Sequence, residues 1–127
     1  MRRTLLATLL TLPLLAACTA APTPTPPRIV FFTADSAQLD GPAQAVVREV
    51  AAEIRSGGGS AVVRGFTGPA GSTEYNQSLS NTRALAVRDD LVAAGLPAER
   101  IVVQPRGPVP FEAVATESRR VEILVAR

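Results

Sequence analysis

The sequence predicts an α/β chain of the two-layer α+β sandwich type, with two helices packed on one sheet in the order β-α-β-α-β-β. Three observations carry this. Short β-branched and aromatic runs alternate with two longer segments whose apolar residues recur at helical spacing. Gly and Pro stand at the boundaries between them. The hydrophobic content is mostly Ala, Val and Leu, with four Phe, one Tyr and no Trp among 127 residues. Such side chains suit a thin core between two layers better than a deep aromatic pocket.

Ile29-Val30-Phe31-Phe32 predicts the first strand. Ala43, Val46, Val47, Val50, Ala51 and Ile54 then recur at helical spacing, with Arg48, Glu49 and Glu53 elsewhere. Pro42 fits the first turn of this helix, and Gly57-Gly58-Gly59 ends it. Ala61 to Phe66 reads as the second strand. A loop, Thr67-Gly68-Pro69-Ala70-Gly71, leads to Ser72, a side chain suited to capping the next helix. That helix runs to about Ala94, with Gly95 at the position after the cap and Pro97 as a stop. Ile101-Val102-Val103 predicts a third strand, and Val121 to Val125 a buried final one.

The second helix carries a polar anomaly. At about 100° per residue, Tyr75, Leu79, Ala86, Val87, Leu91, Ala93 and Ala94 share a half-circle expected to face the sheet. Asn76, Ser80 and Arg83, spaced i, i+4 and i+7, lie in the middle of that arc. Leu85 and Val92 fall on the other side. A cation on a buried face needs a partner or an open cleft, because an unpaired buried charge costs several kcal/mol. Two readings stay open: a structural ion pair from Arg83 to Glu122 or Asp35, or an anion site at the sheet edge.

The N-terminus reads as an address. Met1-Arg2-Arg3 is basic, and Leu5 to Leu15 is an apolar run of about eleven residues, short of the roughly 20 needed to span a bilayer. It ends in Leu15-Ala16-Ala17-Cys18, which resembles a bacterial lipobox, and Cys18 is the one cysteine. Residues 1–17 are therefore expected to be a lipoprotein signal peptide, and Cys18 the lipidated residue that holds the chain to a membrane. Thr19 in place of Asp favours sorting to the outer membrane. Residues 18–28 form a Pro/Thr-rich tether, and 29–127 the folded domain.

Charge and composition exclude several classes. Without Arg2 and Arg3 the chain carries 11 Arg against 11 acids, so no basic excess points to nucleic acid. The chain has no His, its one Cys is assigned to lipid, and no Asp, Glu and Cys cluster has metal-ligand spacing. No enzyme, catalytic residue, metal or cofactor is expected. Asp89-Asp90 reads as a solvated helix surface.

Gly65 to Val87, GFTGPAGSTEYNQSLSNTRALAV, strongly resembles the signature of the OmpA-like C-terminal domain, G-H/Y-T-D-x-x-G-x-x-x-Y-N-x-x-L-S-x-x-R-A. Gly65, Thr67, Gly71, Tyr75, Asn76, Leu79, Ser80, Arg83 and Ala84 match at unbroken spacing. FFTADSAQL (Phe31 to Leu39) resembles the family's first strand and loop, and SRRVEI (Ser118 to Ile123) its N-R-R-V-E-I ending. The resemblance implies a mixed four-stranded sheet of order 1-4-2-3, with the last strand antiparallel to its neighbours. With the lipobox, it implies the architecture of the peptidoglycan-associated lipoproteins, facing the periplasm.

The ligand so implied is the diaminopimelate side chain of the peptidoglycan stem peptide, which ends in one ammonium and one carboxylate on the same carbon. By resemblance, Arg83 would clamp the carboxylate. Asn76 would add hydrogen bonds, the backbone around Asp35 would supply donors, and Leu79 and Thr67 would complete the set. One departure matters: the family's ammonium-binding Asp falls at Gly68. Loss of one side of a desolvated charge pair typically costs about 2–5 kcal/mol. Phe66 also replaces His or Tyr, Ser118 replaces Asn, and the segment between Val103 and Ser118 is shortened. Three outcomes follow: Asp35 or Glu74 replaces the missing acid, the ligand has no required ammonium, or the domain serves as a structural module for envelope protein partners.

Overall fold

The computed structural model describes residues 24–127, so the predicted signal peptide, Cys18 and residues 19–23 of the tether lie outside the described residues. The chain forms strand β1 (Arg28–Phe31), helix α1 (Gly41–Gly57), strand β2 (Ser60–Thr67), helix α2 (Thr73–Ala93), strand β3 (Ile101–Pro108) and strand β4 (Arg120–Ala126). Short 3-10 turns occupy Ala98–Arg100 and Ala115–Ser118. This is the predicted β-α-β-α-β-β order. The strands make one sheet, β1-β4-β2-β3. β4 is antiparallel to β1 and β2, while β2 and β3 are parallel. β1, β2 and β3 therefore point the same way, and their carboxyl ends share one edge. Among the described residues, no helix is long and apolar enough to cross a membrane.

Local chemistry explains the helix ends. Asp40 caps α1, its Oδ1 accepting the Ala43 N–H at 2.8 Å, and the chain leaves through Gly58 at φ 78°. Ser72 caps α2 as expected, accepting the Tyr75 N–H at 3.1 Å. At the far end, the Gly95 N–H donates to the Val92 carbonyl and the Leu96 N–H to the Leu91 carbonyl. Gly95 adopts φ 94°, completing a Schellman motif whose apolar pair is Leu91 and Leu96.

Both helices cover the same sheet face. α1 contributes Ala43, Val47, Val50, Ala51 and Ile54 to the core, and α2 contributes Ala84, Val87 and Leu91. They pack on Val30, Phe32, Ala61, Val63, Val121 and Ile123. The buried stripe of α2 is Asn76, Ser80, Arg83, Ala84, Val87 and Leu91, narrower than the predicted arc. Tyr75 and Ala93 are exposed, and Leu79, Ala86 and Ala94 are only half-buried. The cause lies at Gly65, where a Cβ would stand 2.0 Å from the Ser80 carbonyl oxygen. So close an approach of helix to strand buries the central stripe and leaves the flanks out.

The strands differ slightly from expectation. β1 begins one residue earlier, at Arg28, and ends at Phe31. β3 continues through Pro105 to Pro108 rather than stopping at Val103. It is an edge strand, where a missing N–H costs no ladder bond. Its register shifts so that Gly65 pairs with Pro105 and Phe66 with Gly107. The Ser80 hydroxyl accepts the Gly107 N–H at 3.1 Å and donates to the Gln77 carbonyl at 2.8 Å. Ser80 therefore fastens α2 to this irregular edge.

Candidate functional site

Open sheets with parallel strands tend to bind ligands beyond the carboxyl ends of those strands, and a cleft of about 480 Å³ lies there. Asp35, Thr67, Asn76, Leu79 and Arg83, the five residues singled out in the sequence, all line it, together with Gly68. Asp35 comes from the loop after β1, Thr67 from the end of β2, and the other three from the first half of α2.

Arg83 is fully buried (0% exposed) and has no carboxylate partner among the described residues. Glu122 pairs instead with Arg120 at 2.8 Å, and none of the ion pairs among the described residues includes Arg83 or Asp35. Neither predicted ion pair forms. Arg83 donates instead to three carbonyls: Nε to Ser36 at 2.8 Å, Nη1 to Phe66 at 3.2 Å and Nη2 to Thr33 at 3.0 Å. Its guanidinium also lies 5.3 Å from the Phe32 ring centroid. Carbonyl dipoles satisfy a buried guanidinium without cancelling its charge. Burial pushes its pKa downward, and the nearby Arg119 charge adds to that. Three of its five N–H groups are used, and at 0% exposure the other two are shielded from solvent behind the cleft wall.

The carbonyls that hold Arg83 also shape the loop. Thr33 and Ser36 bracket a turn closed by the Ser36 N–H to the Thr33 carbonyl at 3.3 Å. Asp35 inside it adopts φ 52°, a region that Asp and Asn enter more readily than most residues. The Tyr75 hydroxyl donates to Asp35 Oδ1 at 2.9 Å. That bond, then burial and the carboxylate charge, raise the Tyr75 pKa above its usual value. Asn76 Nδ2 donates to the Ala70 carbonyl at 2.8 Å, ordering the glycine loop. Thr67 Oγ1 donates to the Asn76 carbonyl at 3.4 Å.

Glu74 does not line the cleft; it stands exposed in the first turn of α2. Phe66 also turns away, its ring 4.3 Å from the Arg120 guanidinium. At Gly68 a Cβ would lie 3.2 Å from Ser118 Oγ, so a side chain there would need that hydroxyl to give slightly.

The cleft includes residues to which sequence reading gave no role. Arg119 donates through Nε to the Phe32 carbonyl at 3.2 Å and through Nη2 to Thr116 Oγ1 at 3.0 Å, placing a second cation on the wall. Phe111 and Ala115 add to the apolar surface that Leu79 supplies. Glu117 orders their loop by accepting the N–H groups of Glu112 at 3.1 Å and Val114 at 3.3 Å. These bonds, led by that from Glu112, hold its carboxyl below the usual carboxylate range. Arg119 lies in the SRRVEI motif, the one signal that could have found it.

The OmpA family model matches residues 31–121. Outer membrane protein A of Klebsiella aerogenes is 53% identical over 49 residues, covering 39% of this chain and 14% of that protein. Outer membrane protein A of Escherichia fergusonii is 36% identical over 81 residues, covering 61% and 33%. The chain thus spans a third or less of these curated relatives. The peptidoglycan-associated lipoprotein of Burkholderia pseudomallei superposes with a TM-score of 0.70 at 27% identity, covering 76% of this chain and 88% of that one. The C-terminal domain of Helicobacter pylori MotB gives 0.68 at 21%, covering 77% and 82%, a likeness of fold.

Proposed function

This chain belongs to the OmpA family, and from that premise we propose that its cleft associates non-covalently with peptidoglycan through the diaminopimelate end of the stem peptide. The observation that carries this reading is a fully buried Arg83, without an acid partner among the described residues, at the wall of a cleft beside Asn76. An anion entering there would approach a preorganised cation whose two remaining N–H groups a small shift of the cleft wall would open to it, and it need not displace a resident carboxylate. Leu79 and Phe111 border the same space and suit the methylene stem of the ligand. The domain acts as a binding module rather than an enzyme.

The rest of the proposal follows from the resemblance. Cys18 carries the lipid, the anchor lies in the outer membrane, and the tether lets the domain reach the periplasmic cell wall. Gly68 occupies the position of the family's ammonium-binding Asp, so binding is weaker or altered relative to members that keep it.

A second reading has its own support. Arg83 spends three donors on carbonyls of the Thr33–Ser36 turn and β2, which would suit a structural module for envelope partners whose ligand site has decayed. Co-sedimentation of the full chain with diaminopimelate-type peptidoglycan separates the two. The proposal expects wild-type protein in the pellet and Arg83→Ala in the supernatant. Wild-type protein that stays in solution, with Gly68→Asp gaining binding, would favour the second reading.

A further inference from the structure

We propose that Asp35, held in place by Tyr75, receives the ligand ammonium, so that the negative half of the site has moved from position 68 to the loop after β1. This rests on the proposed function, and it assigns to a named residue what Gly68 cannot supply. Among the described residues, Asp35 is the one carboxylate that lines the cleft. It is exposed to solvent and belongs to no ion pair. A cation and an anion thus face one cavity without neutralising each other. That arrangement fits a ligand end bearing both charges.

Their separation is built into the fold. The carbonyls of Thr33 and Ser36 accept from Arg83, and Asp35 sits between those two residues. The turn that carries the anion is therefore fastened to the cation. Tyr75 adds a second constraint from the same helix, its hydroxyl on Asp35 Oδ1 at 2.9 Å. The other carboxylate oxygen stays available to an incoming N–H. Tyr75 is a positioning residue, since it orients the acid and leaves the charge to Asp35. An ammonium there and a carboxylate toward Arg83 would place the amino-acid end of the ligand across the turn.

Competition with two small molecules tests this with the full chain in detergent, bound to diaminopimelate-type peptidoglycan. Free meso-diaminopimelate offers carboxylates and ammonium groups; pimelate keeps the carboxylates and lacks the ammonium groups. Wild-type protein is expected to be displaced by diaminopimelate at about tenfold lower concentration than by pimelate. Asp35→Asn should erase that preference, Tyr75→Phe should reduce it to about threefold, and adding Gly68→Asp to Asp35→Asn should restore it. Equal displacement of the wild type by both compounds, or a full preference surviving in Asp35→Asn, would overturn the assignment of Asp35 while leaving the anion site intact. Wild-type protein that never sediments with peptidoglycan would overturn the proposed function and this inference together.

Discussion

Two arginines stand at opposite ends of the sheet and use the same chemistry to different effect. At the amino end of β2, Arg100 donates to the Gly59 carbonyl at 2.7 Å and the Ile54 carbonyl at 3.1 Å, closing the last turn of α1. At the carboxyl end, Arg83 donates to three carbonyls and fastens the loop after β1 to β2. Neither has a carboxylate partner among the described residues. Arg100 adds a second donor to the Ile54 carbonyl, which already accepts the Gly58 N–H, and ties it to the Gly59 carbonyl just past the helix, whereas Arg83 lies fully buried beside a cleft it shares with Asn76 and Asp35. A guanidinium on carbonyls is thus a structural staple anywhere; it becomes a candidate binding group where the fold leaves a cavity over it.

Disturbing the seat of α2 should damage the Arg83 end most. Gly65→Val would drive a side chain into the Ser80 carbonyl, with a cost of about 3 kcal/mol or more in urea unfolding and loss of peptidoglycan binding. Arg83→Ala removes charge-assisted hydrogen bonds worth about 1.5–3 kcal/mol and is expected to weaken sedimentation about 30-fold or more. Arg100→Ala should cost about 1–2 kcal/mol in the same unfolding assay and leave binding within about twofold. If Arg100→Ala weakened binding as much as Arg83→Ala, the contrast between the two ends would collapse.

The smallest effect is acid-dependent and concerns the cleft wall. Backbone N–H groups hold the Glu117 carboxyl below its ordinary value of 4.5. Its stabilising contribution is fully present above that value and is lost as pH falls through the lower folded-state value. The wild-type melting temperature should fall more steeply than that of Glu117→Gln as pH drops below about 4.5. Parallel melting curves for the two proteins would mean that Glu117 does not order the loop carrying Phe111.

Much of this was legible because it is written in local chemistry. Ser72 and Gly95 mark the ends of α2 through requirements that any helix has. The spacing of Thr67, Asn76, Leu79 and Arg83 marks the share of the cleft that β2 and α2 supply. What was not legible depends on contacts without a residue signature. The acceptors for Arg83 are backbone carbonyls, which every residue carries, so a search for an acid partner named Glu122 and Asp35 instead. The width of the buried stripe on α2 depends on the Gly65–Ser80 approach, so counting apolar residues on a wheel wrongly buried Tyr75 and Ala93. Pro105 reads as a strand breaker until the strand is known to lie at an edge. Arg119 joins the cleft only because the start of β4 lies beside the carboxyl ends of β1 and β2.

The most direct test of Arg83 as the anion-binding group is to follow its Nε–H by nitrogen-15 NMR while titrating the full chain with a diaminopimelate-containing stem peptide. The bonded, buried Nε–H should give a protected resonance. The account predicts that this signal shifts saturably with added peptide while that of exposed Arg48 stays in place. A saturable interaction that leaves the Arg83 resonance unmoved would contradict it and move the binding surface elsewhere on the domain.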